Sequence, residues 1–357
     1  MNKDFLKKCT VFIFLSSIAI APVTMLLTED KKVNEIENKI LTQLPRFNYS
    51  NIKSGRFMSE FDNYVSDQFP ARNLFLYSKN RINYLLGNRE FRNIYLNSSG
   101  KLLEKYGENL DTISYNIDKI NSIVDKLDLK KDLFIVPNSV AIYGDTLPSY
   151  YPTDSQEDSI LKIKHMTDIN VYSPIEVLNS NKKDYIYFNT DHHWTQLGAK
   201  IAFEDFYNKK IESKYSLTAK NFLGTYYSKA MLNNIKGDTI YSYLDFKNFK
   251  CEFDGESYDS LYDDSKLSGK NKYQYFLNGD PAEGVIYGSG KGEILVIKDS
   301  FAHAFIPFLA TEYEKVHVID PRYSNSDISE YVKSNENIEE VLFLLSLSTI
   351  NSNKIFK

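Results

Sequence analysis

Cysteine is scarce in this chain. It has two in 357 residues, Cys9 and Cys251. Two so far apart, one of them inside an apolar N-terminal run, exclude a disulfide framework. Proline is scarce too, at ten, while 42% of the residues are hydrophobic and 25% are charged. That balance excludes collagen-like and disordered chains and suits one large core, alone or with an accessory segment. Positive charge is not in excess. Lys and Arg number 43 against 47 Asp and Glu, a net charge of −4. A basic field for nucleic acid is therefore missing, and no polyanionic polymer is drawn in by long-range attraction. Long hydrophobic runs are absent after the first thirty residues, which excludes a multi-span membrane protein. Tryptophan occurs once against 27 tyrosines. The tyrosines fit a codon preference for Tyr, Asn, Lys and Ile, and composition alone does not make them a sugar-binding surface.

The N-terminus points to a compartment. Lys3, Lys7 and Lys8 precede an uncharged stretch from Cys9 to Leu27, which Glu29, Asp30, Lys31 and Lys32 follow. A bilayer core needs about 20 apolar residues as helix, and Pro22 does not forbid a span. Residues 1–8 then form a cytoplasmic basic tail and residues 9–27 a single-pass anchor, with the rest of the chain outside the cytoplasm. A cleaved signal peptide followed by secretion is the alternative, but Val23 to Thr28 lacks an Ala-x-Ala exit. A buried helix of a soluble domain is the bland reading. Cys9 follows Leu6-Lys7-Lys8, which is not a lipobox.

Residues 33–92 read as a helical stalk that folds back on the main domain. Phe57, Phe61 and Tyr64 share one helical face, Phe75, Leu76, Ile82, Leu85 and Leu86 belong to a second stretch, and Pro70 breaks them apart. From about residue 93 the pattern changes. Ile94–Leu96 and Lys101–Leu103 flank Asn97-Ser98-Ser99-Gly100, a hairpin signal. Helical stretches at Leu110–Leu127, Ser159–Met166 and Thr195–Tyr207 then alternate with short apolar runs at Leu133–Val136, Ile169–Tyr172, Tyr185–Phe188, Ile294–Ile297, Val316–Ile319 and Val341–Leu345. Such alternation predicts an α/β fold, a doubly wound, mostly parallel sheet with helices on both faces. Residues about 211–290 interrupt it with strand-like pieces at Thr239–Leu244 and Tyr273–Phe276, and read as an inserted antiparallel and loop region.

In open parallel sheets, sites form beyond the carboxyl ends of strands. Two predicted strand ends carry reactive groups: Asn189-Thr190-Asp191-His192-His193-Trp194-Thr195 and Lys298-Asp299-Ser300-Phe301. A serine between an apolar strand and a helix can expose its Oγ above the sheet, with the following N–H groups aimed at a developing oxyanion. It can equally be a helix N-cap. A serine nucleophile needs a base, and the base needs an acceptor on its other nitrogen. In an extended segment Asp191 and His193 project to the same side and His192 to the other. On a helix Asp191 and His193 would lie about 200° apart, so the pairing needs the loop. Asp191 or Thr195 as the cap of the next helix is the plainer alternative. His165, His303 and His317 are scattered, with His303 read as packing on the helix after Ser300. No metal site is expected for want of a third ligand cluster.

Asp191-His192-His193-Trp194 resembles the signature of the DHHW protein family, which is similar to the periplasmic alginate O-acetyltransferases among SGNH hydrolase-like folds. Gly55-Arg56-Phe57, Asp67-Gln68-Phe69-Pro70-Ala71-Arg72, Val136-Pro137-Asn138, Lys298-Asp299-Ser300-Phe301 and Asp320-Pro321-Arg322-Tyr323 extend the resemblance from about residue 40 onward. It implies a catalytic domain over 93–357 with Asp191, His193 and Ser300 as triad, in the permuted order that puts the histidine before the serine. Lys298 stands where the family's relatives usually carry glycine, and no oxyanion block is evident. Asn138 and Ser139 are candidate oxyanion donors, and Arg322 and Tyr323 candidate cleft residues; strand-end turns explain both pairs as well. His192 and Trp194 flank the motif. The resemblance implies acetyl transfer to a cell-surface polysaccharide without a cofactor, and a membrane-bound O-acyltransferase partner that supplies the acetyl groups. The same triad would serve a carbohydrate O-acetyl esterase. A non-catalytic assembly or glycan-binding protein is a third reading, which the intact trio disfavours.

Overall fold

The computed structural model describes residues 3–37, 39–233 and 235–356, so the first two residues of the expected basic tail lie outside the described residues. The chain divides into two compact units, Met1–Phe91 with Ser228–Asn234, and Arg92–Tyr227 with Ile235–Lys357.

The smaller unit is helical. Lys3–Leu27 forms one helix with Pro22 inside it, and from Asp4 onward it is long and apolar enough to cross a membrane, as an anchor or as a signal sequence. Helices Arg56–Gln68 and Arg72–Leu85 follow. They part at Phe69-Pro70, where proline cannot continue the backbone hydrogen-bond ladder. Phe57, Phe61 and Tyr64 do share a face, with successive ring centroids 6.0 Å apart. Asp67 ends that helix buried, accepting hydrogen bonds from Thr42 N and Oγ1 and from Lys39 Nζ.

The larger unit holds an eight-stranded sheet. In chain order its strands are β1 (Lys130–Val136), β2 (Asn170–Tyr172), β3 (Cys251–Phe253), β4 (Glu256–Tyr258), β5 (Glu283–Tyr287), β6 (Glu293–Lys298), β7 (Lys315–Ile319) and β8 (Ile338–Ser346). Across the sheet they run β4-β3-β5-β7-β6-β8-β1-β2. The pairings from β7 through β2 are parallel and those from β4 through β7 antiparallel. The fold is therefore mixed α/β with a large, mostly parallel sheet. Its central strands are apolar without alternation because both faces are covered: Ile294–Ile297, Val341–Leu345 and Leu133–Val136 are fully buried. Each such side chain contributes about 1.5–3 kcal/mol of transfer free energy.

Register sets the site. Ile297 pairs with Ile319 and Phe343, and Ser346 with Val136. The carboxyl ends of β1, β6, β7 and β8 thus open along one edge, which lines up Asn138, Ser300, Arg322 and Ser346.

Two expectations are corrected. Tyr185–Phe188 is no strand of the sheet; it makes a single bridge, Tyr187 to Trp194. Its chain reverses at once, and the Asn189 and Thr190 N–H groups donate to the buried Asp238 carboxylate rather than to a neighbouring strand. Tyr273–Phe276 is not extended either, because Lys272–Tyr275 winds into a 3₁₀ turn. Within 211–290, Tyr215–Phe222 and Asp238–Tyr243 pair antiparallel, and β3, β4 and β5 join the edge of the main sheet.

Candidate active site

The loop between Tyr187 and Trp194 is built by its backbone polar groups. Asp238 takes both N–H groups, at 2.8 and 2.7 Å, and the Thr190 and Tyr185 hydroxyls at 2.6 Å each. Thr195 caps the helix Gln196–Phe206, accepting from Gly198 N. Trp194 is fully buried and donates its Nε1–H to Phe301 O at 2.8 Å. That bond ties the histidine loop to the turn that follows β6.

The structure brings Asp191, His193 and Ser300 together. Asp191 Oδ1 accepts from the His193 backbone N–H at 3.1 Å and from its Nδ1–H at 2.6 Å. His193 Nε2 lies 2.8 Å from Ser300 Oγ. Asp191 Oδ2 accepts from Thr225 N at 2.8 Å and Oγ1 at 3.2 Å. Gly224 must be glycine here, since a Cβ would stand 2.2 Å from the Asp191 side chain.

Electrostatics assigns the protons. Burial alone would raise the Asp191 carboxyl, but the His192 and His193 imidazoles beside it hold it well below the ordinary carboxylate range. Burial, then repulsion from His192, pulls His193 down to about 4 against the attraction of Asp191. At neutral pH the pair is thus carboxylate and neutral imidazole. A carboxylate has no proton to give, so Nδ1 carries the hydrogen and Nε2 is left bare to accept from the serine hydroxyl.

Ser300 opens a 3₁₀ turn, Ser300–Ala304, but it is not the cap. Asp299 is, accepting from Phe301 N at 2.9 Å while its other oxygen accepts from Ser346 N at 2.8 Å. This corrects the expected oxyanion donors. Phe301 N–H is committed to Asp299 Oδ1, and Ala302 N–H to Asp299 O.

Asn138, Ser139, Arg322 and Tyr323 stand apart from the relay. Asn138 and Ser139 are buried at the end of β1. Asn138 N donates to Gln156 Oε1, and Nδ2 to Ser348 Oγ; neither residue hydrogen-bonds to Ser300 or His193. Arg322 grips Asp320 with Nε and Nη2 at 2.8 and 2.6 Å and leans over the exposed Tyr323 ring. His192 does not point away as extended geometry predicts. The chain bends there, so its ring packs on His193 with centroids 3.7 Å apart and its Nδ1 lies 2.7 Å from Thr225 Oγ1. Trp194 is core, not cleft. Donor atoms of Asp191, His192 and His193 lie within 4.8 Å of one another, as a metal would need. The two carboxylate oxygens and His193 Nδ1 are already spent on each other and on Thr225. His317 sits within β7, bonded to Glu293 and Tyr331.

Several residues here were given no role by the sequence. Lys298 is fully buried, 3.1 Å from His303 Nε2 and 3.2 Å from Asp320 Oδ2. His303 therefore does more than pack on the helix. A lysine ending an apolar strand was the one visible clue to that cluster. Tyr273 stacks on His193, and nothing in its sequence surroundings marks it.

Residues 116–319 match the family described as DHHW protein. No curated protein matches the chain. Among solved structures, a DHHW family protein from Eubacterium siraeum superposes with a TM-score of 0.66 at 24% identity, over 74% of this chain and 94% of that one. Bacillus cereus PatB1, captured with a sulfonyl adduct, gives 0.61 at 22% identity over 73% and 97%. The O-acetyltransferase domain of Pseudomonas putida AlgJ gives 0.46 at 12% identity over 73% and 92%.

Proposed function

This chain belongs to the DHHW protein family, and from that premise and its hydrogen-bonded trio we propose that it is a serine-dependent O-acetyltransferase acting on a cell-surface polysaccharide. The observation that carries the reading is the unbroken relay from Asp191 Oδ1 through His193 to Ser300 Oγ, with steps of 2.6 and 2.8 Å.

The geometry supports the following sequence of steps. Ser300 gives its proton to His193 Nε2 as Oγ attacks the acetyl carbonyl of the donor, and Asp191 stabilises the imidazolium. The carbonyl oxygen becomes an oxyanion. With Phe301 and Ala302 occupied, the Ser300 N–H, which has no acceptor among the described residues, is the backbone donor best placed to receive it. Collapse expels the donor's leaving group, which takes the proton back from His193, and leaves acetyl-Ser300. A sugar hydroxyl then enters, His193 takes its proton, and the ester forms as Ser300 leaves with that proton. No cofactor enters the cycle. Water in place of the sugar turns the same cycle into esterase chemistry.

In this reading residues 9–27 anchor the protein, 33–92 form the stalk, and 93–357 work in an SGNH-like catalytic domain outside the cytoplasm. A membrane-bound O-acyltransferase supplies the acetyl groups. The test is full-length protein in detergent with p-nitrophenyl acetate and candidate cell-wall oligosaccharides, read by product mass. Acetylated oligosaccharide that disappears with Ser300→Ala supports transfer. Acetate alone, equally dependent on Ser300, makes the protein an esterase. Background rates unchanged by Ser300→Ala make it a non-catalytic surface protein.

A further inference from the structure

The base of the relay is held by its faces as well as by its edges. The Tyr273 ring lies parallel to the His193 imidazole, with centroids 3.8 Å apart and planes 8° from coincidence. Tyr273 comes from the 3₁₀ turn Lys272–Tyr275, far from the histidine loop in sequence. Behind it lies His303, at 6.1 Å and 16°. His192 packs on His193 at 3.7 Å and a 39° tilt.

We infer that Tyr273 is a positioning residue for the base: its ring face fixes the plane of His193 and stabilises the imidazolium that His193 becomes when Ser300 gives up its proton. The inference rests on the reading of His193 as that base. The π face of a phenol carries negative potential and attracts a cation more than a neutral ring. A parallel stack at van der Waals distance sets the whole imidazolium over it, in a site that is largely buried.

The other groups around His193 leave this role open. Asp191 acts at the Nδ1 edge and Ser300 at Nε2. Asp299 adds a more distant attraction, and His192 repels when charged. His303, on the far side of Tyr273, is kept neutral well below its ordinary range by burial and by Lys298, so it does not oppose a charge on His193. The Tyr273 hydroxyl is buried and makes no hydrogen bond to Asp191, His193 or Ser300, so this role belongs to the ring.

Tyr273→Leu and Tyr273→Phe in the full-length protein separate this from simple packing. Two quantities are measured: kcat/KM for p-nitrophenyl acetate at neutral pH, and the protonated fraction of His193 at pH 4 by imidazole carbon NMR. Burial, with repulsion from His192, pulls His193 down to about 4 in the wild type, so that pH lies within its titration. The leucine variant is expected to lose roughly tenfold to thirtyfold in kcat/KM, the range a desolvated cation–π contact supplies. Its protonated fraction is expected to fall to about a tenth. Phenylalanine restores both.

A rise in the protonated fraction in the leucine variant overturns the inference, since it means Tyr273 only keeps water from His193. So does a leucine variant at wild-type rate, or a phenylalanine variant as impaired as leucine. If Tyr273→Leu fails to fold, Tyr273→Met takes its place. A wild type that never acetylates Ser300 sinks the reading of the triad instead, and the NMR titration still decides the stacking.

Discussion

One methyl group tests how tightly the relay is built. In Gly224→Ala the new Cβ would stand 2.2 Å from Asp191 Cβ and Oδ2 and 2.6 Å from Cγ. Carbon contacts begin at ~3.5 Å, so something must move by more than about 1 Å. Asp191 is 2% exposed and cannot swing toward solvent. Thr225, next in the chain, gives its carboxylate both a backbone and a hydroxyl hydrogen bond, so the two partners are fastened together. The displacement therefore falls on the carboxylate and stretches its 2.6 Å bond to His193. Overpacking of this kind costs about 1–3 kcal/mol. At about 2–4 °C per kcal/mol for a large domain, Tm falls by roughly 2–12 °C. A misplacement of about 1 Å in a catalytic constellation costs about 10²-fold in rate. The loss should appear in kcat and leave KM nearly alone, because Asp191 does not face the substrate. Stopped-flow acylation and calorimetry on one sample give both numbers. Gly144→Ala, where nothing lies within 4 Å of the added carbon, is the control and should change neither. A Gly224→Ala protein with wild-type kcat and Tm would refute the reasoning.

Asp191→Asn keeps the shape but no longer enforces the Nδ1–H tautomer, so kcat should drop about 10³–10⁴-fold with little change in fold, read by steady-state kinetics and circular dichroism. Acid should destabilise the protein between pH 6.5 and 4. His193 is held at about 4 in the folded chain against an ordinary 6.5, so across that window the unfolded chain binds more protons and stability falls as pH falls. Tm measured in half-unit steps should show that slope, flattened in His193→Gln. Asp320→Asn leaves the buried Lys298 and Arg322 without their shared carboxylate and should cost about 3–5 kcal/mol in urea unfolding.

The parts of the fold legible in the sequence are those where one physical rule dominates. Leu133–Val136, Ile294–Ile297, Val316–Ile319 and Val341–Leu345 read as strands because a sheet covered on both faces needs unbroken apolar runs. Each lies within a longer observed strand, extended mostly by polar residues at its ends. Tyr185–Phe188 obeys the same rule and is not a strand of the sheet. Its backbone is satisfied across its own turn, Phe188 N–H donating to His193 O and Thr195 N–H to Ile186 O, and the next two N–H groups go to Asp238, a side chain some fifty residues on that no local pattern encodes. The convergence of Asp191, His193 and Ser300 was readable from residue types and, for Ser300, from the edge at which a parallel strand ends; the strand expected before Asp191 is not one. The oxyanion donors were not, because the side chain of Asp299 turns back on Phe301 N–H. Tyr273 was hidden for the opposite reason: its segment reads as a strand, and only the tertiary fold lays its ring on His193.

The most direct test of the account is intact-mass and peptide mapping of the full-length protein after brief exposure to p-nitrophenyl acetate. A single acetyl group, about 42 Da, on Ser300, absent in Ser300→Ala and nearly absent in His193→Ala, is the predicted result. An unmodified Ser300 in folded, freshly purified protein, with ester hydrolysis no faster than in Ser300→Ala, would contradict it.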